Sequence, residues 1–230
     1  MGDRAGHGTT VFFDLDGTLT DPREGITRCL QYALAQLGRP VPPQAELVQY
    51  IGPPLRWTFP RLLATDDKAM VDAAIEHYRR RYADVGLFEN ELYTGIPESL
   101  RSLRDDGFRL FVVTSKPVVY AERIIDHFDL AEYIEDVFGP DLDGRFDDKG
   151  ELVAHILRER AIRPERAIMV GDRASDILAG KINGTRTIAV TYGFGSMEEL
   201  AAAKPDRTCH SPAEIRDALG SLRGGTQAGH

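Results

Sequence analysis

An α/β fold, with a parallel sheet covered by helices and a helical insert after its first strand, follows from three observations. Short continuous apolar runs alternate with amphipathic stretches along most of the chain. The runs are rich in β-branched residues, which suits strands buried on both faces. Between about Pro22 and Leu92 the alternation stops and only helical periodicity remains.

The elements follow in order. "TVFF" from Thr10 reads as the first strand. "GITRCLQYALAQLG" then places Ile26, Leu30, Ala33, Leu34 and Leu37 on one helical stripe. "DKAMVDAAIEHYRRRYADVG" places Met70, Ala74, Ile75, Tyr78 and Tyr82 on another. Between them, "YIGPPLRWTFPRLL" is rich in proline and aromatic residues, and Leu55, Trp57 and Phe59 are expected in the core of the insert. The strand rhythm resumes near Tyr93 with "LFVVTS" from Leu110, "AIMVGD" from Ala167 and "RTIAVTYG" from Arg186. Residues 97–106, 118–130, 149–160, 174–181 and 212–219 read as intervening helices. Strands alternating with helices imply βαβ units and a Rossmann-like, doubly wound sheet. The expected division is an α/β core over 9–21 and 93–221, a helical domain over 22–92, and flexible tails at 1–8 and 222–230.

Composition excludes several functions. The 230 residues carry 28 basic and 36 acidic side chains, a net charge of −8. That balance argues against a general nucleic-acid or anionic-membrane binder. No apolar run approaches the length of a membrane span. The opening "MGDRAGHGTT" lacks an apolar signal region, so a cytoplasmic location is expected. The two cysteines, Cys29 and Cys209, form no CxxC pair and are expected to be reduced and inert.

In open parallel sheets, ligands bind outside the carboxyl ends of the strands. The first strand delivers Asp14 and Asp16 there, the second Thr114 and Ser115, and the third Asp172, with Asp176 four residues on. Lys149 opens a predicted helix. Residues two apart in extended backbone point the same way, so Asp14 and Asp16 can face one small space. Gly17 then permits a sharp turn. Thr18 follows in the loop, with a hydroxyl and an N–H available to an anion. Two such carboxylates are costly without a cation or a proton between them. Mg²⁺ prefers one or two carboxylates, water and a phosphate oxygen. An aspartate is also a competent nucleophile for phosphoryl transfer. A second acid can protonate the leaving oxygen and later deprotonate water. Lys149 and Thr114 would stabilise the transferring group.

"DLDGTLTD", "VVTSKP", Lys149 in "FDDKGEL" and "GDRASD" resemble, in order, the four motifs of the haloacid dehalogenase superfamily, in its phosphatase branch. The insert resembles the small helical cap of that superfamily. "YIGPPL", "YTGIPESLRSLRDDG" and "VTYGFGS" look like its phosphoglycolate phosphatase-like group. The resemblance implies Asp14 as nucleophile and Asp16 as general acid/base. It implies Mg²⁺ on the side chains of Asp14 and Asp172 and on the backbone carbonyl of Asp16. Thr18, Thr114, Ser115 and Lys149 would bind the phosphoryl group, Lys149 also restraining the nucleophile. Gly17 would shape the loop and Asp176 would support the metal. An acid at position 16 distinguishes the phosphatases from the dehalogenases, which have no alcohol leaving group to protonate. The third-motif lysine is often followed by proline in related enzymes. Here Gly150 follows, and Lys116 is a rival phosphate-binding lysine.

The implied substrate is a small phosphorylated metabolite, with 2-phosphoglycolate first and a nucleoside 5′-monophosphate second. Arg23 and Arg56 are candidates to clamp a substrate carboxylate. A sugar-phosphate phosphatase or phosphomutase on the same scaffold, and a catalytically silent binding protein, are the alternatives. The chain is expected to be a monomer or a homodimer.

Overall fold

The computed structural model describes residues 8–223. Strand β1 (Thr10–Phe13) leads to a two-residue strand β2 (Thr20–Asp21). Four helices follow: α1 (Arg23–Gln36), α2 (Gln44–Leu47), α3 (Leu55–Leu63) and α4 (Lys68–Arg81). A π-helical turn, Tyr82–Gly86, precedes β3 (Glu91–Leu92). The α/β rhythm then runs α5 (Ile96–Asp105), β4 (Arg109–Val113), α6 (Val118–His127), β5 (Asp136–Phe138), α7 (Lys149–Glu159) and β6 (Ala167–Gly171). It closes with α8 (Ala174–Ile182), β7 (Arg186–Val190), α9 (Met197–Ala203), β8 (Arg207–Cys209) and α10 (Ile215–Arg223).

The described residues divide into two compact units, one up to Leu19 and from Leu92 onward, the other Thr20–Glu91. In the first, six parallel strands lie in the order β5-β4-β1-β6-β7-β8. This is the α/β parallel sheet expected from the sequence. Every residue of β1 and β6 is buried, because those central strands are covered on both faces. Phe12 and Phe111 pack with Val153, Ile156 and Met169 in one layer. Ile177, Ala189 and Leu200 form a smaller cluster.

Register positions the site. Phe13 pairs with Val112 on one side and Val170 on the other. The Asp14 N–H donates to the Val170 carbonyl at 2.9 Å, extending the ladder by one residue. The carboxyl ends of β4, β1 and β6 are therefore neighbours.

The structure differs from expectation in several places. The edge strands β5 and β8, three residues each, and helix α9 have no clear periodic signature. Strand β3 falls where no strand was expected, and pairs with β2. The tails expected at 1–8 and 222–230 lie outside the described residues, apart from Gly8, Leu222 and Arg223. Leu222 and Arg223 belong to α10 rather than to a tail, because Leu222 is buried.

The helical unit is organised by its two long helices. Ile26, Leu30, Ala33 and Leu34 of α1 are buried, as are Ala74, Ile75 and Tyr78 of α4. Phe59 is buried as expected, but Trp57 is 60% exposed. Two residues along a helix turn the side chain to nearly the opposite face, so Trp57 and Phe59 cannot share the core. Within this unit Glu89 accepts from Arg81 at 2.7 and 3.0 Å and from Arg28 at 2.8 Å. The Arg81 hydrogen bonds, against a smaller opposing effect of burial, hold the Glu89 carboxyl below its ordinary value.

A carboxylate depressed in the folded state stabilises above its unfolded value and stops stabilising once pH falls through the folded one. Glu89→Gln should therefore cost about 1.5–3 kcal/mol at pH 7, the range for hydrogen bonds to charged groups. The deficit should shrink as pH falls below the ordinary glutamate value of 4.5. Urea unfolding followed by the fluorescence of Trp57, the single tryptophan and a member of this unit, reads both effects.

Candidate active site

The strand ends of the α/β unit gather four carboxylates and two ammonium groups. Asp14 follows β1 directly. Asp172 follows β6, and Asp176 sits in the first turn of α8. Lys149 is the first residue of α7, whose N-cap is Asp148; the Asp148 carboxylate accepts the Glu151 N–H at 2.9 Å. That cap sets where the helix starts and so where Lys149 projects. Lys149 Nζ donates to Asp14 Oδ1 at 2.8 Å and to Asp176 Oδ1. Asp176 is further held by the Arg173 N–H at 2.9 Å. Asp14, Asp172 and Asp176 each offer an oxygen within 4.8 Å of the others, and all three are buried.

Asp16 has a different partner. Its Oδ2 pairs with Lys116 Nζ at 2.6 Å. Lys116, considered from sequence as a phosphate-binding rival, is thus an ion-pair partner of Asp16. The side chain of Asp16 stands outside the three-carboxylate cluster, and Asp176, expected to act from behind, lies inside it.

Thr114 directly follows β4, and its Oγ1 accepts the Lys116 N–H at 3.1 Å. This leaves the hydroxyl proton of Thr114 able to donate elsewhere. Ser115 lies next in the same turn, partly exposed. Gly17 has φ +88°, a left-handed conformation costly for other residues. A Cβ there would also collide with the Asp172 carboxylate. Thr18 Oγ1 is buried without a protein partner.

Arg23 and Arg56 belong to the helical unit. Arg23 pairs with Asp21 at 3.3 Å and donates its backbone N–H to the same carboxylate at 3.0 Å, so Asp21 closes the turn into α1. Arg56 is exposed on α3.

Sequence reasoning did not find the loop after β7. The Phe194 N–H donates to Asp172 Oδ2 at 2.7 Å, and the Tyr192 hydroxyl donates to the Thr18 carbonyl at 3.0 Å. A Cβ on Gly193 would meet both the Gly17 carbonyl and Asp172. "VTYGFGS" carried this signal only as a pattern, because its reason is close backbone approach to a residue 21 positions upstream.

Electrostatics describe a site short of positive charge. Burial, reinforced by Asp176 and Asp14, pushes the Asp172 carboxyl well above its usual range. Burial also pushes Asp176 up to about 6, against the pull of Lys149. Asp16 is raised by burial although Lys116 opposes it. Burial disfavours the Lys149 charge, but Asp14 and Asp176 outweigh it and hold the ammonium above its ordinary value. Asp172 Oδ1 and Asp16 Oδ1 are buried with no protein hydrogen-bond partner. Three close carboxylates and an unpartnered buried oxygen are the hard donors a small divalent cation takes. Such an ion would balance the two charges by which four carboxylates exceed two ammonium groups.

Residues 11–190 match the family model of the haloacid dehalogenase-like hydrolases, and the chain belongs to that family. It is 44% identical to a 5′-nucleotidase of Pseudomonas aeruginosa over 96% of this chain and 100% of that one. It is 36% identical to the tyrosine-protein kinase PtkA of Mycobacterium tuberculosis, over 91% of this chain and 72% of the relative. It is 30% identical to phosphoglycolate phosphatase 1 of Pseudomonas aeruginosa, over 85% and 74%. A crystal structure described as a predicted phosphatase from Clostridium acetobutylicum superposes with a TM-score of 0.87 at 39% identity, covering 92% of this chain and 97% of that one. Among the described residues, no helix is long and apolar enough to cross a membrane.

The charge deficit gives a signed expectation for Asp172→Asn. Without divalent cations the variant should melt no lower than the parent, because it removes a repelling carboxylate and keeps an acceptor for the Phe194 N–H. With Mg²⁺ the order should reverse, since only the parent gains stability from binding. Melting curves with and without Mg²⁺ test this.

Proposed function

We propose that this hydrolase is a phosphatase that transfers the phosphoryl group of a small phosphomonoester to Asp14 and then to water. One observation carries the reading. Lys149 holds Asp14 at 2.8 Å inside a three-carboxylate cluster, while Asp16, two residues on, is kept apart on Lys116 at 2.6 Å. Two carboxylates in different environments can take different roles.

Asp14, Asp172 and Asp176, with the backbone carbonyl of Asp16, are the proposed holders of Mg²⁺. When bound, Mg²⁺ supplies positive charge to the phosphoryl oxygens and offsets repulsion between an anionic ester and an anionic nucleophile. An Asp14 oxygen bonds to phosphorus as the bond to the leaving alcohol breaks. Asp16 gives its proton to the leaving oxygen. Asp16 then takes a proton from water as the water oxygen attacks phosphorus, releasing phosphate and restoring Asp14. Lys149, Thr114, Ser115 and the Thr18 hydroxyl orient the phosphoryl oxygens, and Gly17 keeps the loop tight around them.

For the substrate, a nucleoside 5′-monophosphate now stands ahead of 2-phosphoglycolate. The 5′-nucleotidase relative is 44% identical over its whole length, and phosphoglycolate phosphatase 1 is 30% identical. The 22–92 segment is proposed as a cap that sets substrate choice, with Arg23 and Arg56 its candidate residues. A phosphomutase would return the phosphoryl group to a sugar without net phosphate release.

Phosphate release from nucleoside monophosphates, 2-phosphoglycolate and sugar phosphates should rank nucleoside monophosphates first by kcat/KM. No release from any ester in the presence of Mg²⁺ would sink the phosphatase reading. Asp14→Asn should lower kcat by at least about 10³-fold while leaving the melting temperature near that of the parent. Retained turnover would rule out the covalent route.

A further inference from the structure

Lys116 is a buried lysine to which the chemistry above assigns no part. It is 8% exposed, and a buried ammonium is costly unless it is paired and hydrogen-bonded. Its backbone is fixed from two sides. Its N–H donates to Thr114 Oγ1 at 3.1 Å, in the turn that ends β4. Its carbonyl packs on the backbone of Gly139, where any Cβ would collide with it. The flanking ladder bonds, Thr114 N–H to the Phe138 carbonyl and Val118 N–H to the Pro140 carbonyl, are both 3.0 Å. The lysine is therefore presented by β4 and by the segment leaving β5, alongside the end of β1.

That presentation has a consequence for Asp16. Oδ2 is anchored to Lys116 Nζ at 2.6 Å. Oδ1 is buried with no protein hydrogen-bond partner, on a residue only 9% exposed. A carboxyl group with one oxygen tied and the other unpaired is oriented, and only one of its atoms is available for proton transfer.

We propose that Lys116 is a positioning residue: by anchoring Oδ2 it fixes Asp16 so that Oδ1 is the atom that delivers the proton to the leaving oxygen and later accepts one from water. It also keeps the Asp16 side chain out of the Asp14–Asp172–Asp176 cluster. This rests on the assignment of Asp16 as general acid/base. The proton balance is unchanged. Oδ1 loses a proton to the leaving oxygen when the ester bond breaks, and regains one from water when the bond from Asp14 to phosphorus breaks. Lys116 gives up none.

The dependence on leaving group separates this role from phosphate binding or a contribution to folding. A nitrophenolate leaves without protonation, whereas the alkoxide of a nucleoside 5′-monophosphate needs the acid. First-turnover rates are measured by rapid mixing of the Mg²⁺-loaded protein with p-nitrophenyl phosphate and with a nucleoside 5′-monophosphate. Lys116→Met should lower the alkyl-ester rate by about 10²-fold, within the range for loss of general acid catalysis. The nitrophenolate burst should stay within about threefold of the parent. Lys116→Gln, which keeps a donor, should lie between Lys116→Met and the parent, and it serves if the methionine variant does not fold. Equal loss on both esters, or no loss on either, would overturn the proposal. Asp16→Asn is the control. If it shows the leaving-group split and the Lys116 variants do not, only the positioning role fails. If Asp16→Asn shows no split, the general-acid assignment fails and the positioning role with it.

Discussion

The bridge made by Lys149 between Asp14 and Asp176 is the contact on which the site depends. It joins the end of β1, the first turn of α7 and the first turn of α8, elements far apart in sequence. Four acids at adjacent strand ends would otherwise repel one another in a region with little water. One buried ammonium pairs with two of them, while burial and the neighbouring acids push the Asp172 carboxyl well above its usual range. The protein thus holds the cluster together without neutralising it.

Backbone placement does the rest. Gly17, in the turn after β1, and Gly193 and Gly195, in the loop after β7, let two chain segments close on Asp172 where side chains would collide. The Phe194 N–H fixes Asp172 Oδ2 and leaves Oδ1 unpartnered. The loop after β7 therefore orients a carboxylate supplied by β6, although it contributes no charged group of its own. Tyr192, anchored on the Thr18 carbonyl, ties that loop back to the turn after β1. Burial holds its phenol protonated far above the ordinary range, so it stays a donor.

What the sequence made legible follows from how each feature is encoded. Strands β1, β4, β6 and β7 are continuous apolar runs because both faces of each are covered, and they read directly. Strands β5 and β8 are three residues long at the sheet edges, too short to carry a period. Asp14, Asp16, Thr114 and Asp172 are legible because a strand that turns polar at its carboxyl end has few structural reasons to do so. Their partners are not. Nothing local in "TSKP" says that Lys116 meets Asp16, since the contact spans 100 residues and is created by the parallel register of β1 and β4. Trp57 failed for the opposite reason: hydrophobicity was read without its phase, and two residues separate the faces of α3.

Two acids so close in sequence end in different environments, each on its own lysine. Beyond Phe13, β1 runs one residue further beside β6, where the Asp14 N–H meets the Val170 carbonyl. The Asp14 side chain pairs with Lys149 and lies with Asp172 and Asp176. The chain then turns at Gly17, and Asp16, the last residue before the turn, meets the β4 side, where Lys116 is presented. The two lysines come from different connections, Lys116 from the turn after β4 and Lys149 from the first turn of α7. The neighbouring carboxylates are thus told apart by the two lysines that hold them, Lys149 on Asp14 at 2.8 Å and Lys116 on Asp16 at 2.6 Å.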